Sequence, residues 1–553
     1  MIKRLLLSLL VIFTSVQLNA QEPTALWGKA VQGTLGSTVT SQGADIQMAP
    51  DGGIYISGGA GTKTVEDVIR FGNDVIATPE TLYKGSGNTG TQNLFISKIA
   101  ADGTPVWTVY SKNADVQSGK AMLCPVSDGL IAVVGLRHAA QYYDTDIILV
   151  DAKSTPTSLD WTISTDKDRS YRILVFKFNT QGALQWIRQI DAAHDLALTG
   201  VTPYALIVDD EENIYIGGNQ RVELTLKNSG GTDVKIPPRN VEGWDGDAQK
   251  SAGDLFVLKL DKDGYYVNHL QSSGKATSLT IYNLEYTNDK LYLLAQANGI
   301  AGEQVALGGR SFVTENTNGG LLTASLNKDL SVNWAQYYSS AKTGSIVNLP
   351  NIYVNDKNFW VLCKSNMSLT TATSKTLTCQ HTRDGLMLKV DITDGKLLDG
   401  YVNQVNQTGY FSAFESVEGV LFVLGHTLLN SLYIHQFNPN DLSAPLANWD
   451  SVIANTSDAQ GIAYSADGRL YIMTRSNNTS NALMGTDTKI TQDITAYCCN
   501  VSAFQLPITP VTGIQTLKYE SPIDGIYYNL SGQRVERPTK GLYIHYGKKV
   551  VIK

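Results

Sequence analysis

One short pattern recurs seven times along the chain, and it leaves few folds open. A turn is followed by six or seven residues rich in aromatic and branched side chains: Gly53–Gly59, Gly129–Gly135, Asn213–Gly218, Lys290–Ala295, Asn358–Cys363, Val420–Gly425 and Arg469–Thr474. Each run is the right length for a strand and too short for a helix. A fixed unit repeated this often points to a repeat architecture, so the repeat has to be read before any single motif.

The surrounding residues complete the unit. Before most runs stand turn formers such as Pro50-Asp51-Gly52, Asp209-Asp210-Glu211 and Ala466-Asp467-Gly468. Asp, Asn and Gly tolerate the positive φ that hairpin turns need. An earlier short strand precedes each turn, as in 44–49, 204–209 and 461–465. A third strand follows, such as Asn93–Lys98, Arg172–Lys177 or Asp254–Lys259, then a second tight turn at Asp102-Gly103, Gln181-Gly182, Asp263-Gly264 or Asp394-Gly395. The fourth strand often carries a tryptophan: Trp107, Trp186, Trp334 and Trp449. Four short antiparallel strands cannot bury both faces alone. Packing copies face to face around an axis solves that, and a β-propeller is the natural result.

The ends of the array carry a further signal. The seventh unit stops at Val501–Ile508 with no tryptophan strand after it, whereas Ala25-Leu26-Trp27-Gly28-Lys29 stands near the N-terminus with no partner strands before it. The N-terminal strand is therefore expected to complete the last unit and close the ring. The expected fold is an all-β, seven-bladed β-propeller closed by the N-terminal strand, over residues 21–508, with a small C-terminal β module over 509–553.

Two resemblances accompany this reading. The segments Glu212–Gly218 and Asp254–Asp261 resemble the bacterial β-propeller repeat family, clearly in the first three units and with decay in the later four. That resemblance implies a fold and an exported location, not a reaction. The tail segments Gly525–Val535 and Lys540–Lys553 resemble the C-terminal sorting domains of secreted Bacteroidetes proteins, which the type IX secretion system reads. This implies secretion machinery as a partner through the C-terminal module. The Pro507, Pro510 and Pro522 joint suits a linker between ring and tail.

Residues 1–20 read as a signal peptide, with Lys3 and Arg4, an apolar run over Leu5–Phe13 and a small residue, Ala20, at the cleavage site. The run is too short to span a bilayer, and no later segment is apolar for long enough. A secreted or cell-surface location is expected, for a monomer with no transmembrane segment. The net charge is −7, which argues against a nucleic-acid binder. Residues 510–553 carry +4 and the remainder −11, which sets the tail apart as a module. Five cysteines are too few for a disulfide scaffold. Cys363 and Cys379 flank one long loop and could bridge in an oxidising compartment, and Cys498-Cys499 is a vicinal pair. Each is otherwise a small buried hydrophobe.

Extra length concentrates between the second and third strands of the first three units, at 60–92, 136–171 and 219–253. Such connections fall on one face of a propeller, and unstructured loops over about 15 residues are uncommon unless functional or disordered. They contain Tyr142, Tyr143, Trp161, Trp244, Asp245 and Asp247 as candidate ligand-binding residues. Aromatic rings beside carboxylates suit a sugar or peptide surface. Standard catalytic signatures are missing: there is no H-E-x-x-H, G-x-S-x-G or P-loop. Asp261–Gly264 reads as a hairpin turn rather than a calcium loop, since the remaining ligand positions do not follow. No metal or cofactor is expected. The functional expectation is an exported binding or adhesion module for an extracellular glycan or protein, leaning away from catalysis. The alternative is a polysaccharide-active enzyme, hydrolase or lyase, with a site over the central channel.

Overall fold

The computed structural model describes residues 22–32, 45–62, 68–79, 91–138, 147–159, 172–192, 201–239, 253–274, 277–299, 302, 304–314, 320–340, 347–405, 408–416, 419–427, 431–454, 458–476, 480–484, 489–491, 498–507, 527–529, 534–535, 541–545 and 548–552. Every regular element among them is a strand, and no helix is long and apolar enough to cross a membrane. The chain divides into two units, 1–508 and 509–553.

The first unit is a β-propeller arrangement of antiparallel sheets. The first sheet runs Asp45–Met48, Ile54–Thr62, Thr91–Ile99, Pro105–Lys112. The second runs Ala114–Val126, Gly129–His138, Arg172–Asn179, Leu184–Ala192, and the third Val201–Val208, Ile214–Gln220, Asp254–Leu260, Tyr266–Gly274. The fourth runs Thr277–Thr287, Lys290–Gly299, Gly320–Asn327, Val332–Tyr338, and the next Val347–Val354, Phe359–Ser365, Asp384–Val390, Leu397–Asn403. Then come Thr408–Glu415, Leu421–Thr427, Ser431–Phe437, Ala447–Ala454. The last sheet takes Asp458–Tyr464, Arg469–Ser476, Cys498–Gln505 and, as its fourth strand, the N-terminal Thr24–Gln32. That strand pairs antiparallel with Cys498–Gln505 from Thr24↔Gln505 to Val31↔Cys499.

The first strand of each sheet touches the first strand of the next, and Asp458–Tyr464 touches Asp45–Met48. These are the innermost strands. Apolar clusters fill the gaps between neighbouring sheets. One joins Tyr55, Leu94 and Val109 to Leu130, Leu174 and Phe176, and another joins Val31, Tyr471 and Val501 to Ile54 and Phe95. Each sheet thus buries its faces against its neighbours, which is why the strands read as near-continuous apolar runs.

Two features of the repeat gain a physical reason. The second-strand aromatic and the third-strand lysine are cross-strand partners: Tyr55↔Lys98, Tyr215↔Lys259 and Trp360↔Lys389. Each ammonium lies over the ring, at 5.9, 5.5 and 5.2 Å from its centroid, a favourable cation–π placement. The outer-strand tryptophans and the glycines of the second turn fit each other across sheets. Trp27 Nε1 donates to Ala101 O at 3.0 Å, Trp107 to Thr180 O at 3.1 Å and Trp334 to Ile392 O at 3.1 Å. The glycine of each receiving turn has positive φ, and a Cβ on Gly103, Gly182, Gly264 or Gly395 would lie only 2.9, 2.7, 2.9 or 2.6 Å from the tryptophan ring. The turn glycine is needed both for its backbone conformation and to seat the preceding sheet's tryptophan.

The extra length between second and third strands is built differently from the expected loops. Much of it is a β-hairpin laid on the outer strand of the preceding sheet. Ile69–Phe71 and Asp74–Ala77 extend the N-terminal strand; Ile147–Val150 and Pro156–Leu159 extend Pro105–Lys112. Leu224–Lys227 and Asp233–Ile236 extend Leu184–Ala192, and Gln304–Leu307 and Arg310–Val313 extend Tyr266–Gly274. The outer strand would otherwise present unpaired N–H and C=O groups along its whole length, and a hairpin that covers part of it removes that liability.

The Cys363–Cys379 bridge is not formed. Both are buried, unbridged thiols within one apolar cluster, and burial raises the Cys363 thiol well above its ordinary value, so the site favours the neutral thiol over the thiolate that disulfide exchange requires. Cys498 and Cys499 are also free and buried.

The second unit holds one small sheet in the order Arg534–Val535, Tyr527–Tyr528, Gly541–His545, Lys548–Ile552. Tyr527 and Tyr543 meet edge to face at 6.3 Å.

Candidate functional site on the innermost strands

The innermost strands share an irregularity. Their pairing with the second strand slips between Val116 and Ala121, Pro203 and Ala205, Ile281 and Asn283, Asn348 and Asn351, Tyr410 and Ser412, and Ala459 and Gly461. The slip at Val116–Ala121 is a wider irregularity; each of the other five leaves one extra residue and is a β-bulge. A bulge leaves its extra residue out of the ladder and re-aims its side chain, and bulges concentrate beside functional sites.

In the third and fourth sheets the extra residues are Tyr204 and Tyr282. Both are half-buried, and their rings stack across the two sheets with centroids 6.4 Å apart and planes at 28°. Burial raises both phenols above their ordinary value, so each hydroxyl stays neutral. In the sixth sheet the extra residue is Phe411, which is buried and packs against His426 with centroids 6.4 Å apart. The register pairs Pro203 with Gly218 and Thr202 with Asn219. Tyr204 therefore stands beside the last residues before the 221–253 excursion.

Polar groups continue along and between the innermost strands from the tyrosine pair. The Asn283 amide donates to Asn351 Oδ1 at 2.5 Å, and Asn351 Nδ2 donates to Phe411 O at 2.7 Å, linking three sheets. Two residues after Asn283 stands Glu285. Burial pushes its carboxyl up to about 7; the Asn283 amide opposes the rise and the negative Asp45 adds to it. Asp45, from the first sheet, accepts from Ile46 N and Leu123 N, both at 2.8 Å, and from Gln47 Nε2 at 3.2 Å. Burial, and then Asp45 and Glu285, push the Cys124 thiol up to about 12. Tyr353, raised mainly by burial, also feels Glu415 and Glu285. The carboxyls of Asp45 and Glu285, from the first and fourth sheets, thus act on each other's surroundings and on Cys124 and Tyr353 of the second and fifth.

This arrangement offers an aromatic surface, neutral amides and one carboxyl poised between its protonated and ionised forms near neutral pH. Among the described residues no group of three His, Cys, Asp or Glu is placed to hold a metal ion. At the calcium-like turn, Asp261 Oδ1 accepts from Asp263 N at 3.0 Å and Tyr265 N at 2.8 Å. It caps its own turn.

The sequence did not single out Tyr204, Tyr282, Asn283 or Glu285. One extra residue per strand is invisible to a period-two pattern. The only available signal was an aromatic at about the same depth in several first strands. The candidates Tyr142, Tyr143, Trp161, Trp244, Asp245 and Asp247 all lie outside the described residues.

No protein-family model matches the chain, and no curated protein matches it. Among solved structures it is similar to a Synechocystis apocarotenoid oxygenase variant, with 8% identity and a TM-score of 0.34, over 78% of this chain and 92% of that one. It is also similar to a neuraminidase-like protein from a little yellow-shouldered bat isolate of Guatemala, with 7% identity and a TM-score of 0.30, over 71% of this chain and 95% of that one. At such identities neither protein's chemistry transfers to this chain.

Proposed function

We propose that the chain is an exported, closed, seven-bladed β-propeller that binds an extracellular glycan or peptide. In this reading residues 1–20 direct export and are removed, residues 21–508 form the ring, and residues 509–553 serve sorting or surface attachment. The observation that carries the binding reading is the Tyr204–Tyr282 pair, set by two bulges beside the start of a long excursion. Aromatic faces stack on sugar rings and on apolar peptide side chains. The neighbouring Asn283, Asn351 and Glu285 supply the few placed polar groups that orient a ligand. Tyr142, Tyr143, Trp161, Trp244, Asp245 and Asp247 remain candidate ligand-binding residues in this reading, on the sequence argument alone.

A glycan and peptide array on residues 21–553 tests this. The intact protein is expected to select a small set of related ligands. Tyr204→Ala with Tyr282→Ala is expected to weaken that binding at least about tenfold, the loss typical of removing a central aromatic anchor. Deletion of residues 240–252 is expected to weaken it less. No selective binding by the intact chain would sink the reading.

Glu285 favours one second reading, a polysaccharide-active enzyme acting on the innermost strands. A carboxyl near 7 is tuned for general acid chemistry, with Asp45 as the nearby second carboxylate. Mass analysis of array-positive glycans after incubation distinguishes the two. Products that vanish with Glu285→Gln indicate catalysis; unchanged glycans indicate binding alone.

A further inference from the structure

A cleft of about 390 Å³ opens at the outer edge of the second sheet. Its floor is Ile187–Asp191 of the outer strand, which is left open because the Leu224–Lys227 hairpin pairs with that strand only at Asp191 and Ala192. One wall is the hairpin; the other is the Gly264-Tyr265 turn of the third sheet. A bridge between Asn228 and Tyr266 ties the two walls together.

The charges in the cleft are unevenly matched. Asp233 pairs with Lys227 at 2.8 Å, and Asp191 accepts from Arg172 Nε at 3.3 Å and from Gln189 Nε2 at 2.5 Å. Arg188 has no carboxylate partner among the described residues. Its guanidinium lies 4.3 Å from the Tyr265 ring centroid and 5.1 Å from that of Trp186. Nη1 donates to Ile187 O at 2.9 Å, while Nε is buried without an acceptor. The aromatic contacts hold the planar fork in one orientation. The glycine of the turn keeps the space open, since a Cβ on Gly264 would lie 2.6 Å from Arg188 Cγ.

We propose that this cleft is a second binding site, for a carboxylate-bearing monosaccharide unit, with Arg188 as the carboxylate anchor. With Nε buried, the Nη1–Nη2 end of the guanidinium is the fork that meets a carboxylate, through two parallel N–H···O bonds. The volume is that of a small-ligand site. The flanking Gln189 amide and the Lys227–Asp233 pair offer donors and acceptors to ring hydroxyls. A bland role for Arg188, filling the gap between two aromatic rings, accounts for the packing but not for a charge left uncompensated beside a cleft. The site is independent of the innermost strands and stands without that reading.

Isothermal titration of residues 21–553 tests the proposal, with glucuronate, glucose, glutamate and inorganic phosphate as four separate probes. Glucuronate is expected to bind and glucose not. Arg188→Gln is expected to lose on the order of ten- to hundredfold in affinity, the range for removing a hydrogen bond to a charged group. Arg188→Lys, which keeps charge and stem, is expected to fall between. Melting temperatures of the variants separate lost binding from lost folding. Absence of glucuronate binding, equal binding of phosphate or glutamate, or an Arg188→Lys variant that binds like the parent would each overturn it.

Discussion

Removing residues 22–32 is expected to lower the melting temperature by on the order of 10 °C and to promote aggregation. This strand supplies the outer partner of Cys498–Gln505 along its length. Trp27 also donates to Ala101 O and packs on Phe71 and Tyr471, while Lys29 Nζ donates to Gly103 O at 2.7 Å. The Ile69–Phe71 hairpin loses its support as well. Deletion therefore strips one sheet of a strand, uncouples it from the first sheet and opens a long apolar edge at once. Trp27→Ala alone removes only the ring and its hydrogen bond and should cost about 2 kcal/mol, below the full-burial range because the side chain is half-buried. A synthetic peptide of residues 22–32 added in trans should restore part of the loss. Calorimetry showing the truncated chain within a degree or two of the parent would contradict the closure.

Acidification from pH 7 to pH 4 is expected to destabilise the ring through two buried imidazoles. His426 and His435 are buried, and burial lowers each to about 4, with the Lys364 charge also acting against protonation of His426. The contacts fit neutral rings. The Lys364 ammonium donates to His426 Nε2 at 3.3 Å, and the Tyr410 hydroxyl and His435 Nδ1 share a hydrogen bond of 2.8 Å. Burial holds Tyr410 well above the usual phenol range, so its proton stays in place. The sign follows from linkage. The unfolded chain takes up these protons first, near 6.5, so stability is intact above that pH, falls as pH drops through 6.5, and levels off below about 4. Each imidazole contributes on the order of 3 kcal/mol at the acid limit. Chemical denaturation of the parent and of His426→Gln with His435→Gln across this window checks it. The double variant should show a visibly shallower acid slope. Identical slopes would mean the histidines are not buried as described.

Legibility in the sequence divides along a physical line. The repeating strands and hairpin turns could be read because each rests on residues close in sequence, such as Asp102-Gly103 ahead of Trp107, and the N-terminal strand's role because a surplus strand at one end of the array matches a missing one at the other. The mutual fit of Gly182 with Trp107 could not, because its two halves belong to different sheets. The outer hairpins left a local trace that a reading of the long segments as loops passed over. Gly308-Gly309, both at positive φ, is a turn signal between two strand-like quartets. Gly72-Asn73 and Gly230-Gly231 are similar. The bulges left almost none, since Tyr282 differs from its strand neighbours only in being one residue too many. His426 and His435 stand far in sequence from the groups they meet. Folding brings His426 against Lys364 and His435 against Tyr410.

The glycan- or peptide-binding surface is proposed on the innermost strands, separate from the Arg188 cleft at the outer edge of the second sheet. Hydrogen–deuterium exchange of residues 21–553, with and without an array-selected ligand, tests it most directly. Slowed exchange is expected in peptides covering 201–220 and 277–299, with the outer strands at 69–77 and 304–313 unchanged. Protection confined to the outer hairpins, with the innermost strands unaffected, would contradict it.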